Sequence, residues 1–311
     1  MATVKGAWRR LRRAPIIAPG GRGWRGLSGM PAQQVLDVVY ELILGREPDA
    51  AGTSSYLDGL QSGALTPHAL AQSTVASGEW WSATPFPWLS TSLHLSRMMF
   101  IRTLPAGRRI LDLGGTSLGN AAGALVLMGY PYEFDDLVVI DLPSEERNEL
   151  YQEDSANQVS QQKLGPVRYR YHSMADLSDY EDNSVDLVYS GQSIEHVPLD
   201  VADTVLAEVR RVLKPGGYLG LDTPNARVTR LQQDEFIDPD HEHEYTDAEL
   251  RAKLEAAGFE ITDAKGLNYA GPSLAAGRFD TEAVATARGL FNEIEDCYLL
   301  AYICRVPPSA T

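Results

Sequence analysis

The chain has 311 residues, 44% of them hydrophobic and 22% charged, and a net charge of −15. Such a composition excludes a disordered or fibrous protein and supplies one sizeable core beside a smaller unit. Nucleic-acid binding depends on neutralising phosphates, so an acidic body disfavours nucleic acid as a partner.

The charge is uneven along the chain. Residues 1–30 hold seven of the 27 basic residues and no acid, which leaves 20 basic against 42 acidic residues in the remainder. This start reads as a disordered basic arm, suited to weak contact with an anionic membrane surface or with the protein itself. Met30 is an alternative start that would remove the arm. The segment Ala14–Ala18 is too short and mixed to span a bilayer or to form a signal core, and no transmembrane run follows. A cytoplasmic protein, peripheral at most to the inner membrane face, is expected.

Residues 31–84 have the texture of a small all-α module. Val35, Val38, Val39, Leu42 and Ile43 follow helical spacing, and Gly45 suits the stop. A second short helix fits Asp49–Leu60. A third starts at Thr66-Pro67, an N-cap followed by a proline at the first helical position, and runs towards Trp80 and Trp81. The stretches GREPDAAG, SYLDGLQSG and ASGEW resemble a small bacterial domain of unknown function that accompanies enzymes of glycan and cell-surface biosynthesis. Arg46 and Asp49 are placed to fasten the turn between the first two helices. SATPFPWLS reads as a linker, and residues 85–108 as linker and leading helix, with His94 on that helix either packed or facing a substrate.

From residue 109 to 307 the pattern changes. Apolar runs at 109–115, 136–143, 167–173, 184–190, 217–224, 259–266 and 297–306 alternate with helical segments such as Val201–Leu213. The pattern predicts an α/β fold with a doubly wound, mostly parallel sheet, whose ligands bind at the carboxyl ends of the strands. ILDLGGTSLGN ends the first run with Asp112 and a turn through Gly114 and Gly115. Without Cβ atoms that turn admits a ligand, or it only makes the strand-to-helix connection. The dinucleotide fingerprint GxGxxG is absent. Asp141 closes the next run, where a carboxylate accepts ribose hydroxyls or caps a turn. The segment after Gly271 is helical in texture and suits a lid, a homodimer surface or packing. Cys297 and Cys304 lie seven apart in one strand, too far to bridge, and are expected to pack as small hydrophobes.

GQSIEHVP, residues 191–198, places Gln192, Glu195 and His196 at i, i+3 and i+4, one face if the backbone is helical. Together with ILDLGG, VVID, MADLSDYEDNSVDLVYSGQSIEHV, RRVLKPGGYLGLDTPN and HEYTDAELRAKLEAAGFE, it resembles the class I S-adenosylmethionine-dependent methyltransferases. The resemblance implies a seven-stranded Rossmann-like sheet with the last strand antiparallel, and S-adenosyl-L-methionine as cofactor. It places Asp112, Gly114 and Gly115 at the methionine and ribose, Asp141 on the ribose hydroxyls, and Ser173 and Met174 at the adenine edge with Asp176 close by. Gly191 and Gln192 fall beside the sulfonium. Two departures stand out. Thr116, Ser117 and Leu118 precede Gly119 where the family has glycines, and Ser173 replaces an acid.

Some relatives carry E-x-x-E-H after the fourth strand and a later D-H-x-x-E-aromatic stretch, and hold a divalent ion there. Carried over, this implies Glu195, His196 and His241 as ligands of manganese, magnesium or zinc, with Gln192 in place of the first glutamate. Alternatively His196 or His241 is the catalytic base without metal, or these residues only order the loop. The expected activity is O-methylation of a sugar hydroxyl in a cell-envelope glycan or glycosylated metabolite. A quinone or polyketide acceptor is the alternative, and a non-catalytic cofactor-binding scaffold is a third reading. An RNA 2′-hydroxyl shares the site chemistry but conflicts with the acidic body.

Overall fold

The computed structural model describes residues 30–44, 46–75, 85–116, 122–143, 160–238 and 240–308. The basic arm up to residue 29, the Gly45 stop, Trp80, Trp81, Ser117, Leu118 and Gly119 lie outside the described residues. The chain divides into two compact units, with the boundary between Trp88 and Leu89. No described helix is long and apolar enough to cross a membrane.

The first unit holds α1 (Ala32–Leu44), α2 (Ala50–Ser62) and α3 (Pro67–Val75). Its core is one stripe of α1, Val35, Leu36, Val39 and Tyr40, closed by Leu70 of α3. Local chemistry sets the helix starts. Asp49 caps α2 by accepting from Gly52 N at 2.7 Å, and Thr66 accepts from Ala69 N at 3.1 Å ahead of Pro67. Arg46 reaches Asp49 at 3.2 Å and fastens the turn between α1 and α2. A Cβ on Gly52 would come within 2.2 Å of the Tyr40 hydroxyl, so the close approach of α1 to α2 requires glycine there.

The helix α4 (Pro85–Ile101) begins inside the stretch that reads as a linker. Its two prolines fall in the first turn, where a backbone N–H has no helical partner to lose. Beyond it the sheet comprises β1 (Arg109–Leu113), β2 (Asp136–Asp141), β3 (Ser160–Gln162), β4 (Gly165–Tyr171), β5 (Val185–Gly191), β6 (Leu213–Pro224), β7 (Glu260–Tyr269), β8 (Leu290–Phe291) and β9 (Cys297–Arg305). The order is β3-β4-β2-β1-β5-β6-β9-β7-β8. The seven expected strands are all there, and β9 runs antiparallel to both of its neighbours. The short strands β3 and β8 extend the two edges by antiparallel pairing, which makes nine strands among the described residues.

Alternation along the central strands feeds two cores, one on each face. Ile110, Leu137, Val139, Leu187 and Tyr189 pack with Phe100 and Ile101 of α4. Leu111, Leu113, Val138, Ile140 and Val188 pack with Val205, Leu206 and Val209 of α6 (Leu199–Val212). The remaining α-helices among the described residues are α5 (Ala124–Leu127), α7 (Ala226–Gln232), α8 (Asp247–Ala256), α9 (Gly271–Ala276) and α10 (Thr281–Thr286). Helical texture after Gly271 therefore gives two short helices, followed by the edge strand β8. Cys297 and Cys304 are free and buried in β9. The chain leaves β1 for β2 on one side and returns to β5 on the other, so the carboxyl end of β1 is the switch point where ligands bind in such sheets.

Candidate functional site

Asp112 is buried near the end of β1. Its Oδ2 accepts from Leu125 N at 3.0 Å, while Oδ1 is buried without a partner. Burial pushes its carboxyl up to about 7, opposed by the Leu125 hydrogen bond and the Arg97 charge and reinforced by Asp141 and Asp222. Such an open oxygen invites a cationic donor. Asp141, at the end of β2, accepts from Leu142 N at 2.8 Å and is half-buried. The charge of Asp141 is felt at Asp112, so the two acids serve one region of the strand edge.

The glycine turn has a reason that its sequence does not reveal. A Cβ on Gly115 would lie 2.2 Å from the Asp112 carboxylate, and one on Gly114 would lie 2.7 Å from Ser193 Cβ. Gly114 also has φ +71, in the left-handed region. The glycines thus make room for the protein's own acid and for the β5 loop. Thr116 Oγ1, just beyond, is buried without a partner. At the end of β4, Ser173 uses its hydroxyl to accept from Ala175 N at 3.2 Å. Met174 packs against the α6-side core.

Along β5 and its loop, the shared face expected for Gln192, Glu195 and His196 does not form. Gln192 has φ +56, and only Ile194–His196 makes a 3₁₀ turn. Gln192 Nε2 instead donates to Asp222 Oδ1 at 2.9 Å. Asp222, buried in β6, also accepts from Arg97 Nε at 2.6 Å and from the Tyr189 hydroxyl. Gly191 allows this network to close, because a Cβ there would stand 2.5 Å from Tyr189 Oη and 2.7 Å from Arg97 Nη2. His94 is exposed on α4. Its pKa is lowered by partial burial and by Arg97.

Glu195, His196 and His241 do come together. One ligand atom from each lies within 4.8 Å of the others, and the two imidazoles meet edge to face at 4.7 Å between centroids. The loop bearing His241 is held by Glu242 N and His243 N, which donate to the Glu195 carbonyl at 2.8 and 3.1 Å. Each ring has a fixed tautomer. His196 Nδ1 lies 3.1 Å from the Asp240 carbonyl, and His241 Nδ1 lies 2.8 Å from Glu244 Oε1. A carbonyl or carboxylate only accepts, so both Nδ1 atoms carry the proton, and in the neutral rings both Nε2 atoms keep a lone pair. Glu195 Oε2 accepts from Thr223 Oγ1 at 3.0 Å, and Oε1 is buried without a partner.

Burial pushes the Glu195 carboxyl up to about 7, with His241 pulling the other way. Burial and His241 lower His196. At His241 burial is outweighed by the Glu244 hydrogen bond and the Glu195 charge, and its pKa rises. Two imidazole lone pairs and a carboxylate oxygen can hold a divalent ion, or they can take a proton from a hydroxyl.

Several residues here escape sequence reasoning. Glu244 is buried and accepts from His241, Thr229 and Ile237 N. Its signal was position, three residues after a histidine in HEHEY. Arg97 is the one cation in the apolar run WLSTSLHLSRMMF, and Asp222 is a strand-end acid like Asp112 and Asp141.

Comparison with known proteins agrees with this architecture. Residues 111–221 match the family described as a methyltransferase domain. Residues 29–83 match a domain of unknown function, DUF4214. A ubiquinone biosynthesis O-methyltransferase of Xanthomonas axonopodis pv. citri is 30% identical over 208 residues, 62% of this chain and 80% of that protein. A Mycolicibacterium smegmatis protein named "probable S-adenosylmethionine-dependent methyltransferase" is 41% identical over 101 residues, 32% of this chain. The match spans only 38% of the mycobacterial protein's length. A chain from the complex of the Haloferax volcanii Trm112 methyltransferase activator with a methyltransferase shares the fold, with a TM-score of 0.50 at 18% identity. That match covers 74% of this chain and 96% of the other.

Proposed function

Because the chain belongs to the class I S-adenosylmethionine-dependent methyltransferases, we propose that it methylates a hydroxyl oxygen of an acceptor carrying two neighbouring hydroxyls. S-Adenosylmethionine, when bound, supplies an electrophilic methyl group on a sulfonium. Two buried polar atoms without partners, Asp112 Oδ1 and Thr116 Oγ1, support its place at the β1 turn. The open Asp112 oxygen suits an ammonium group, and Asp141 at the neighbouring strand end suits the ribose hydroxyls.

The observation that carries the oxygen acceptor is the cluster of Glu195, His196 and His241, with both Nε2 atoms held as acceptors. His241 or His196 removes the hydroxyl proton as general base. A divalent ion would supply Lewis-acid polarisation of the same oxygen. Glu195, His196 and His241 would hold it, a donor set that suits manganese or zinc better than magnesium. Thr223 and Glu244 would keep the ligands in position.

A sugar hydroxyl of an envelope glycan or glycosylated metabolite fits this grip, and the helical module in front favours it. A catechol-type quinone precursor fits as well, and the Xanthomonas relative favours that second reading. Labelled S-adenosylmethionine should be offered with cis-diol glycosides and with catechols, before and after exhaustive chelation, with manganese added back. Label in either class supports the proposal. Tight S-adenosylhomocysteine binding without turnover on both classes would leave a cofactor-binding scaffold instead. Full activity after chelation would remove the metal and leave histidine as the base.

A further inference from the structure

One cation beside the histidine cluster has no part in the chemistry above. Helix α7 follows directly on β6, whose Thr223 holds Glu195. Arg230 is exposed on that helix, with its guanidinium carbon 5.2 Å above the centre of the Phe236 ring. Phe236 is half-buried and lies 6.5 Å from the His241 ring, centre to centre. The guanidinium therefore stands no further from the imidazole than these two lengths laid end to end.

One buried carboxylate fixes this spacing. Glu244 Oε1 accepts from His241 Nδ1 at 2.8 Å and from the amide of Ile237, the residue after Phe236, at 2.8 Å. Its Oε2 accepts from the hydroxyl of Thr229, the residue before Arg230. Imidazole, aromatic ring and cation thus hang on a single hub. Arg230 itself is not spent. Among the described residues no carboxylate forms an ion pair with it, although Asp234, Glu235 and Asp238 are exposed in the loop that follows. Glu249, an acid that its charge reaches, is committed to Thr246 N and Oγ1 at 2.8 Å each. A guanidinium held over an aromatic ring keeps its fork of N–H donors for a second partner, and that fork matches a carboxylate or a phosphate. The acids of the loop, acting alone, would repel such a group.

We propose that Arg230 binds a carboxylate or phosphate on the acceptor, so that this chain prefers anionic diols to neutral ones of the same shape. The assignment rests on the oxygen-acceptor reading above and narrows it. Phe236 carries the guanidinium and gives the acceptor's ring an apolar wall beside His241.

The test is methyl transfer by the full chain to matched acceptors: methyl galactoside beside its uronate and its 6-phosphate, and catechol beside 3,4-dihydroxybenzoate. In at least one set the wild type should favour an anionic member about 10- to 100-fold in kcat/KM. The uronate and the 6-phosphate, compared with each other, tell which anion the site takes. Arg230→Gln should bring the ratio of anionic to neutral within about threefold of one, acting through KM for the anion and not through kcat. Arg230→Lys, a point charge without the fork, should keep part of the preference. A purely structural arginine would not move that ratio. Arg230 is exposed, and a melting curve that superimposes on the wild type shows that each variant is folded. Equal rates, or the preference for neutral members that the acidic loop alone would produce, overturn the assignment. So does an anion preference that survives Arg230→Gln, and each of these results leaves the oxygen-acceptor reading intact. If the wild type methylates none of the acceptors, that reading falls and the assignment with it.

Discussion

The β1–β2 end of the strand edge and the β5–β6 end are both built from strand-end acids, yet their polar atoms are held in opposite ways. At the first, Asp112 Oδ1 and Thr116 Oγ1 are left without partners. Gly115 serves to make room for Asp112 itself, and Gly114 for the β5 loop. At the second, each imidazole is locked through Nδ1, Glu195 is pinned by Thr223, and Asp222 is satisfied by Arg97, Tyr189 and Gln192. Under the proposed function the first end would have its hydrogen bonds completed by the cofactor. The second holds its polar atoms in fixed directions, which under the proposed function is the arrangement expected where orientation accelerates a reaction.

The widest separation between the two ends should come from His241→Ala. Turnover should fall about 10²–10⁴-fold, while S-adenosylhomocysteine affinity from calorimetry stays within about twofold. Equal losses in both would erase the division. Asp141→Ala should do the reverse, weakening cofactor binding about 10- to 100-fold with the KM for the acceptor unchanged. A smaller effect is expected from Glu244→Gln. The amide oxygen still accepts from His241 Nδ1 but carries no charge, so turnover should drop about tenfold with cofactor affinity kept. A loss as large as that of His241→Ala would mean that Glu244 does more than orient.

The smallest effect concerns stability. The Asp112 carboxyl lies at about 7 in the folded chain against an ordinary 3.8. Between those values the folded chain holds a proton that the unfolded chain has released. Cofactor-free stability therefore falls as pH rises through that window and levels off above it. Glu195 adds a fall of the same sign, between 4.5 and about 7. Melting curves of the ligand-free protein should show Asp112→Asn losing a few degrees less than the wild type between about pH 5 and pH 8. Identical slopes would mean that Asp112 is already satisfied without a ligand.

The seven principal strands were readable, because apolar runs alternating with helical stretches leave few other folds, whereas the antiparallel last strand was readable only through the family resemblance. The meeting of Glu195 and His196 with His241, 45 residues on, was readable only through a family resemblance, since nothing local brings the loop bearing His241 to the β5 turn. The face that a helical backbone would have given Gln192 with Glu195 and His196 is absent for a plain reason. Helical spacing assumes right-handed backbone, and Gln192 is at φ +56. Arg97 and Asp222 were invisible as a pair because their partnership spans 125 residues. The prolines of α4 read as linker because a first-turn proline and a loop proline look alike without the turns that follow.

Strand β9 is buried from Cys297 through Cys304 and lies between β6 and β7, which do not pair with each other. The interior of the sheet is thus closed by residues 297–305 alone. Removing β9 would expose the edges of β6 and β7 in the middle of the sheet rather than trim its border. A cut or insertion within residues 297–305 therefore acts on the middle of the sheet and not on its rim.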